Sequence, residues 1–523
     1  MAVETGVTLR KVVPRNPATG EALRELECAG SVEVQQAVHC AHTAQRAWHE
    51  TPIRKRLAII GDFQRLLNER KEKVARAITA EAGKPYGESL LTEVLVVLDA
   101  ARFLLKDGYD FLREQPVPHG SLATKAKVGR LLREPYGVVG IISPWNYPFS
   151  IPATETLSAL VTGNTVVLKP SELTPLCALE LAALLGEAGL PPDVFQVVIG
   201  DGSTGAALVE SGIDKLIFTG SVRTGRRIAQ SAGARLLPVV LELGGKDAMV
   251  VLDDADLDVA SSGAVWGAFV NAGQACLSVE RCYVHRSLHD RFIAACADKA
   301  KQLRVGDGMD PDTDIGPLIH EGQLRTIEEH ILDARSRGAR SVFGGERLSS
   351  LGPNFYAPTV LADVTHEMRI MREESFGPVL PIMAFDSDDA AIALANDSEY
   401  GLAASVWTRD RDRGESIARR INAGTVMVND AVSCFGISEA PHGGVKASGI
   451  GRTHGRFGLE EMVRMKYLDT DLLSGTRKPW WYSYGPAFAR SAEGFLDFQF
   501  ARGMGRRLKG AIRSVHLISR RKL

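Results

Sequence analysis

The first hundred residues carry apolar positions at helical spacing. Val34, Ala37, Val38 and Ala41 fall three and four apart behind Ser31, a residue suited to cap a helix. Thr51-Pro52 opens a second run, with Leu57, Ile60, Phe63 and Leu67 on one face and Gly83-Lys84-Pro85 as its stop. A third run extends from about Glu88 to Leu105. These predict an amphipathic helical scaffold over residues 31–115. From Leu122 to Arg133 polar and apolar residues partly alternate, which predicts a strand exposed on one side, in a surface hairpin or protruding ribbon.

The pattern then changes. Val138–Ile142, Thr165–Leu168, Val194–Ile199 and Lys215–Phe218 are short β-branched or apolar runs separated by helical stretches such as Leu176 to Ala188. That alternation predicts a parallel sheet with crossover helices. Beyond residue 276 it repeats more loosely: Cys282-Tyr283-Val284, Val379–Met383 and Thr425–Val428 read as strands, and His320 to Ala334 as a helix. The fold class is therefore α/β, a Rossmann-like cofactor domain followed by a second α/β domain.

A chain of 523 residues exceeds what one core supports, so two or three domains are expected. It is 45% hydrophobic and 24% charged with a net charge of −1, which gives no overall nucleic-acid signature. Cys28, Cys40, Cys177, Cys276, Cys282, Cys296 and Cys434 are scattered and odd in number, without a C-x-x-C pair. Neither a disulfide framework nor a metal site is expected, and a reducing, cytoplasmic setting is. Met1–Thr5 has no basic segment leading into an apolar one, so no signal peptide is read there, and no apolar run is long enough to span a membrane.

One stretch, Phe269 to Ser278, sets Cys276 behind a small-residue turn. A thiol acts as a nucleophile only where it can ionise and be reached, and Gly273 and Ala275 leave room for approach. Glu242 lies 34 residues upstream, in an apolar run ahead of Gly244-Gly245, and is a candidate general base. Parallel sheets bind ligands at the carboxyl ends of their strands. There the chain supplies Ser143-Pro144-Trp145-Asn146, Lys169-Pro170-Ser171-Glu172 and Thr219-Gly220-Ser221. Gly220 and Gly225 could open a helix onto a diphosphate, and Lys169 with Glu172 could bind a ribose diol and repel a 2′-phosphate, favouring NAD over NADP. Glu242, about twenty residues after Gly220, could equally be the ribose acid of an ordinary Rossmann unit. On the residues alone both assignments stay open. Cys282, between Arg281 and Tyr283 in a strand-like run, reads as structural.

The tail differs. Trp480-Trp481-Tyr482 precedes a segment, Arg502 to Leu523, with eight Lys/Arg and no Asp or Glu. Leu508, Ile512, Val515 and Ile518 fall near helical spacing among Arg506, Arg507, Lys509, Arg513 and Arg520. A basic amphipathic helix of this kind can lie on an anionic membrane surface; a solvated terminus is the alternative.

Seven motifs, in order and spacing, resemble the NAD(P)-dependent aldehyde dehydrogenase superfamily: Pro144–Pro148, Gly163–Glu172, Phe218–Ser221, Leu241–Lys246, Gly273–Cys276, Glu373–Pro378 and Ser448–Arg452. The resemblance covers about residues 12–470. It implies Cys276 as nucleophile, Glu242 as general base and Asn146 as oxyanion donor. It implies a cofactor site of Trp145, Lys169, Glu172, Gly220, Ser221, Glu374 and Phe376. It further implies a cofactor domain over 1–116 and 137–244, a catalytic domain over 245–445, oligomerisation arms over 117–136 and 460–475, and a C-terminal extension over 476–523. A homodimer or homotetramer, NAD as cofactor and water as acyl acceptor follow from it. Thr154-Glu155 stands where succinate-semialdehyde enzymes often carry an arginine, and His442 where many relatives carry Phe. An apolar aldehyde is thus expected ahead of a carboxylated one. A catalytically silent relative and a thiol hydrolase working without nucleotide are the competing classes.

Overall fold

The computed structural model describes residues 10–482 and 484–518. The Met1–Thr5 segment and Arg520 lie outside them. The chain divides into two compact units, one of Met1–Arg113 with Arg133–Met465 and one of Glu114–Leu132 with Lys466–Leu523.

The larger unit begins with the helical scaffold. Helices run over Ser31–Glu50, Ile53–Glu69, Lys71–Ala82 and Leu95–Leu112. Two expectations need correction. Gly30, not Ser31, holds the N-cap, because it keeps extended backbone (φ −84°, ψ −172°) while Ser31 is already helical; Glu33 accepts the Gly30 N–H at 2.9 Å. The run from Pro52 to Ala82 is two helices, broken where Arg70 leaves helical geometry (φ −107°, ψ 14°). Gly83 ends the second of these in the left-handed region, as expected. The buried stripe Ile60, Phe63, Leu67 and Ile78 packs with Leu157, Leu160 and Leu168 in one core.

A six-stranded sheet follows, in the order Gly449–Ile450, Val239–Glu242, Lys215–Thr219, Val138–Ile142, Thr165–Lys169, Phe195–Val197. Its neighbours are parallel except the short Gly449–Ile450 strand, which runs antiparallel and sets Gly449 opposite Glu242. Val138–Ile142 and Thr165–Lys169 are buried throughout, which is why they read as unbroken apolar runs. The strand order reverses between Val138–Ile142 and Lys215–Thr219, opening a crevice at their carboxyl ends.

A seven-stranded sheet is ordered Arg340–Phe343, Thr359–Ala362, Val379–Phe385, Val279–His285, Asp247–Val251, Ala403–Trp407, Thr425–Val428. Only its Arg340–Phe343 strand is antiparallel. Cys282 is fully buried in the middle of Val279–His285.

In the smaller unit, Gln115–Val117 and Lys127–Pro135 belong to a three-stranded sheet with Val463–Asp471. The strand expected from Leu122 starts only at Lys127, since Leu122–Thr124 is a 3₁₀ turn whose Ala123 N–H is taken by Ser121 Oγ at 3.3 Å. Tyr467 Oη lies 2.6 Å from His119 Nε2, and Lys127 pairs with Asp469. Two helices, Pro486–Phe500 and Met504–Ile518, close the described chain. Among the described residues no helix is long and apolar enough to cross a membrane.

Candidate active site

Cys276 is presented by an unusual turn. Asn271, Ala272 and Gly273 take φ values of 53°, 55° and 73° in succession. Left-handed backbone costs a non-glycine residue about 1–2 kcal/mol, so side chains must fix it. Asn271 Nδ2 donates to the carbonyls of Asn146 (2.9 Å) and Gln274 (3.1 Å). Gln274 Nε2 returns a bond to Asn271 O at 3.0 Å, and its Oε1 accepts from the Ile319 N–H at 2.9 Å. The sequence suggested that Gly273 leaves room to reach the sulfur. Its actual reason is different: a Cβ there would stand 2.1 Å from Gly377 O, so glycine lets two backbones touch. Ala275 does line a cavity beside the sulfur.

The Cys276 side chain stands where two cavities meet. The first, about 280 Å³, is lined by Trp145, Asn146, Gly220, Ser221, Glu242, Glu374 and Phe376 among others. The second, about 230 Å³, is walled by Leu91, Val96, Tyr147, Trp266, Val432 and Phe435, and no lining residue is charged. Burial, then the nearby carboxyls of Asp247, Glu242 and Glu374, push the Cys276 thiol well up from its ordinary range.

Glu242 ends its strand with its carboxyl in the first cavity. It is buried, and neither oxygen has a hydrogen-bond partner. A Cβ at Gly443 would lie 2.7 Å from Glu242 Oε1, so that glycine makes room for the carboxyl. Desolvation raises the Glu242 pKa well above the carboxylate range; Glu155 adds to this and Arg452 opposes it. His442 Nε2 is 3.8 Å from Glu242 Oε2. Burial drives His442 down to about 3 and His454 to about 4, so both rings are neutral near pH 7. They pack edge-on and tilted against Phe435 at 5.1 and 4.6 Å, restoring an aromatic wall where the sequence left it in doubt.

Asn146 Nδ2 donates to Gln274 O at 3.1 Å. That bond orients the amide and leaves it a second N–H. Glu374 accepts the Gly245 N–H at 3.1 Å, and burial pushes it up to about 8. Its turn is fixed from behind: Glu280, paired with buried Lys246, accepts the Ser375 and Phe376 N–H groups, both at 2.8 Å. Phe376 meets Trp145 edge-on at 5.4 Å.

The residues fit a dinucleotide. The crevice of the six-stranded sheet receives Pro144-Trp145-Asn146 after one strand and Gly220-Ser221 after its neighbour. Ser221 caps Val222–Ala234, whose first N–H groups can take an anion. Lys169 and Glu172 do not line either cavity; buried Lys169 ends the next strand and pairs with Glu172, three residues on, at 3.2 Å. Glu155, Phe435, His454 and Tyr147 were not singled out as site residues. Glu155 alone carried a signal, a carboxylate in an otherwise apolar helical run; burial pushes it up to about 8 and leaves Oε2 unpartnered.

The family model described as the aldehyde dehydrogenase family matches residues 5–468. A Methylomonas protein named 4,4'-diapolycopene aldehyde oxidase is 39% identical over 486 residues, 92% of this chain and 90% of that one. A Mycolicibacterium smegmatis protein named as an NADP(+) succinate-semialdehyde dehydrogenase is 41% identical, covering 88% of this chain and 87% of its own. The crystal structure of an NAD-dependent aldehyde dehydrogenase from Sinorhizobium meliloti superposes with a TM-score of 0.86 at 36% identity, covering 90% of this chain and 93% of that one. With the matching motifs, the paired α/β sheets and a cysteine at the mouth of a dinucleotide crevice, the chain belongs to the aldehyde dehydrogenase family.

Proposed function

We propose that this protein oxidises an apolar aldehyde to its carboxylic acid, with NAD accepting the hydride and water releasing the product. The observation that carries the reading is the position of Cys276 between a polar cavity holding Glu242 and an uncharged one. The aldehyde chain occupies the uncharged cavity and brings its carbonyl to the sulfur. Cys276 attacks as thiolate, and Glu242, with both oxygens unpartnered in the same cavity, is the group to receive the thiol proton. The second N–H of Asn146 and the Cys276 backbone N–H hold the oxyanion. Trp145, Ser221, Glu374 and Phe376 would hold NAD, which would supply the hydride acceptor when bound. Glu242, after passing the thiol proton to solvent, draws a proton from water, which hydrolyses the Cys276 thioester. That use of water makes the enzyme non-acylating. On this reading Glu242 is the base, Lys169 and Glu172 serve the adenosine ribose and Glu374 the nicotinamide ribose.

A carboxylated substrate such as succinate semialdehyde finds no counter-charge in the second cavity, and Glu155 lines the first. The 4,4'-diapolycopene aldehyde oxidase relative is in keeping with an apolar substrate. The seven free cysteines suit a reducing, cytoplasmic setting. Half-exposed Met465, Tyr467 and Leu468 on the edge strand suit a homodimer or homotetramer. The test is NADH formation with aliphatic, aromatic and carboxylated aldehydes. Activity rising with aliphatic chain length, and lost in Cys276→Ala with NAD binding kept, is expected. Preference for the carboxylated aldehyde would overturn the substrate reading, and an active Cys276→Ala the nucleophile.

A further inference from the structure

The C-terminal hairpin is built inside out. Gly494 and Gly510 face each other across the two helices: a Cβ on Gly494 would lie 2.5 Å from Arg513 Cβ, and one on Gly510 would lie 2.5 Å from the Phe498 N and 2.6 Å from Gly494 O. Ser491 and Ser514 are buried in the same seam. Six large apolar side chains face outward, Leu496 (57% exposed), Phe500 (72%), Met504 (87%), Leu508 (65%), Ile512 (69%) and Val515 (58%), while Phe488, Phe495 and Leu517 are half-buried. A helix pair stabilised in water does the reverse, burying its large side chains in the seam. Small residues inside and large ones outside is the arrangement suited to an apolar surround.

Met504, Leu508, Ile512 and Val515 are spaced four, four and three apart and form one stripe. At 100° per residue Lys509 falls on one side of that stripe and Arg507 on the other. Arg502 adds a cation ahead of the helix, whereas Arg506, which pairs with Asp497 at 3.0 Å, and Arg513, beside Gly494, lie on the seam side; Met504–Ile518 contains no Asp or Glu. Trp480, Trp481, Tyr482 and Tyr484, ahead of the hairpin, are exposed as well. Rings with an apolar body and a polar edge favour the headgroup level of a bilayer. Each helix has 15 residues, too short to span but long enough to lie along a surface.

We propose that the helical hairpin Pro486–Phe500/Met504–Ile518 is a monotopic anchor whose apolar stripe enters an anionic phospholipid surface while its flanking lysine and arginines meet the headgroups. A second copy of the chain fits the stripe less well, because pairing two stripes brings their flanking cations together. The anchor does not depend on the oxidation chemistry, and the two fail separately.

Flotation of the full chain with vesicles tests it. The protein should float with phosphatidylcholine–phosphatidylglycerol vesicles at low salt, and at least about tenfold less with phosphatidylcholine alone or in high salt. Leu508→Ser/Ile512→Ser and, independently, Arg507→Gln/Lys509→Gln should abolish flotation while NADH formation from a soluble aldehyde is unchanged. Absence of the wild type from the floating fraction, or flotation of either variant equal to that of the wild type, overturns the anchor. So does a wild type that stays in solution and dissociates into smaller oligomers on Leu508→Ser/Ile512→Ser, which would make a second copy the occupant.

Discussion

The imidazole of His442 stands 3.8 Å from the Glu242 carboxyl and carries no charge near pH 7, since burial holds it at about 3. The contact is therefore a dipole beside a buried acid, not an ion pair. Replacing Glu242 by Gln removes the acceptor for the water proton. Rapid-mixing kinetics should show a burst of NADH with steady-state turnover down about 10²–10⁴-fold. Unchanged steady-state turnover would return Glu242 to a packing role. His442→Phe deletes the one polar group at that distance and further desolvates Glu242, so the rise of kcat with pH should move to higher pH, with a loss below about tenfold at the plateau.

Glu155 pushes the other way. It is itself raised to about 8, and its negative charge raises Glu242 further. A base whose pKa lies above the usual carboxylate range is protonated at low pH and gains activity as pH rises. Glu155→Gln removes the neighbouring charge, lowers the proton affinity of Glu242 and should move that rise to lower pH. A kcat–pH profile on the Gln variant decides it; an unmoved profile would mean that the two carboxyls do not interact.

Asn146 anchors on Gln274 O, and in the proposed mechanism it offers its remaining N–H to the oxyanion. Asn146→Ala loses both, and kcat should fall about 10²–10³-fold. KM should change much less, because the oxyanion forms only in the transition state. A rise in KM with kcat intact would reduce Asn146 to a substrate contact.

On the proposed assignment of the adenosine ribose, cofactor choice rests on one exposed carboxylate. Glu172 bonds to Lys169 at 3.2 Å, and a 2′-phosphate brought to that ribose position meets its charge. Glu172→Gln should raise the ratio of kcat/KM for NADP over NAD by about tenfold, equal to about 1.4 kcal/mol. A ratio that does not move places the adenosine ribose elsewhere.

Lys84 and Glu93 form a fully buried ion pair at 2.8 Å, with the Lys84 ammonium 3.6 Å from the Tyr147 ring centre. Glu93 also accepts the Phe149 and Ser150 N–H groups, at 3.2 and 2.7 Å, at the start of the helix that carries Glu155. Lys84→Met strands a buried carboxylate, at a cost of about 3–5 kcal/mol. Thermal unfolding should fall by several degrees and activity should be lost earlier on heating; an unmoved transition would mean that the pair contributes nothing net.

Much was legible along the chain because it is local. Short β-branched runs marked the strands Val138–Ile142 and Thr165–Lys169, period-3.6 apolar spacing marked the helices of the scaffold, the strand ends named Trp145, Asn146, Lys169 and Ser221, and an apolar run ahead of two glycines named Glu242. Boundaries were less so: extended backbone at Gly30 displaced the Ser31 cap, and one non-helical residue at Arg70 split a continuous apolar stripe. The tertiary structure alone decided the rest. The uncharged cavity is space left between Leu91, Tyr147, Trp266 and Val432, residues far apart in sequence, and no local pattern encodes an absence of atoms. The neutral His442 and the raised Glu242 are consequences of desolvation, which depends on what packs from every side. The amphipathic stripe of Met504 to Val515 was readable from spacing, but that Gly494 and Gly510 take the seam and turn the large side chains outward is a fact of how two helices meet.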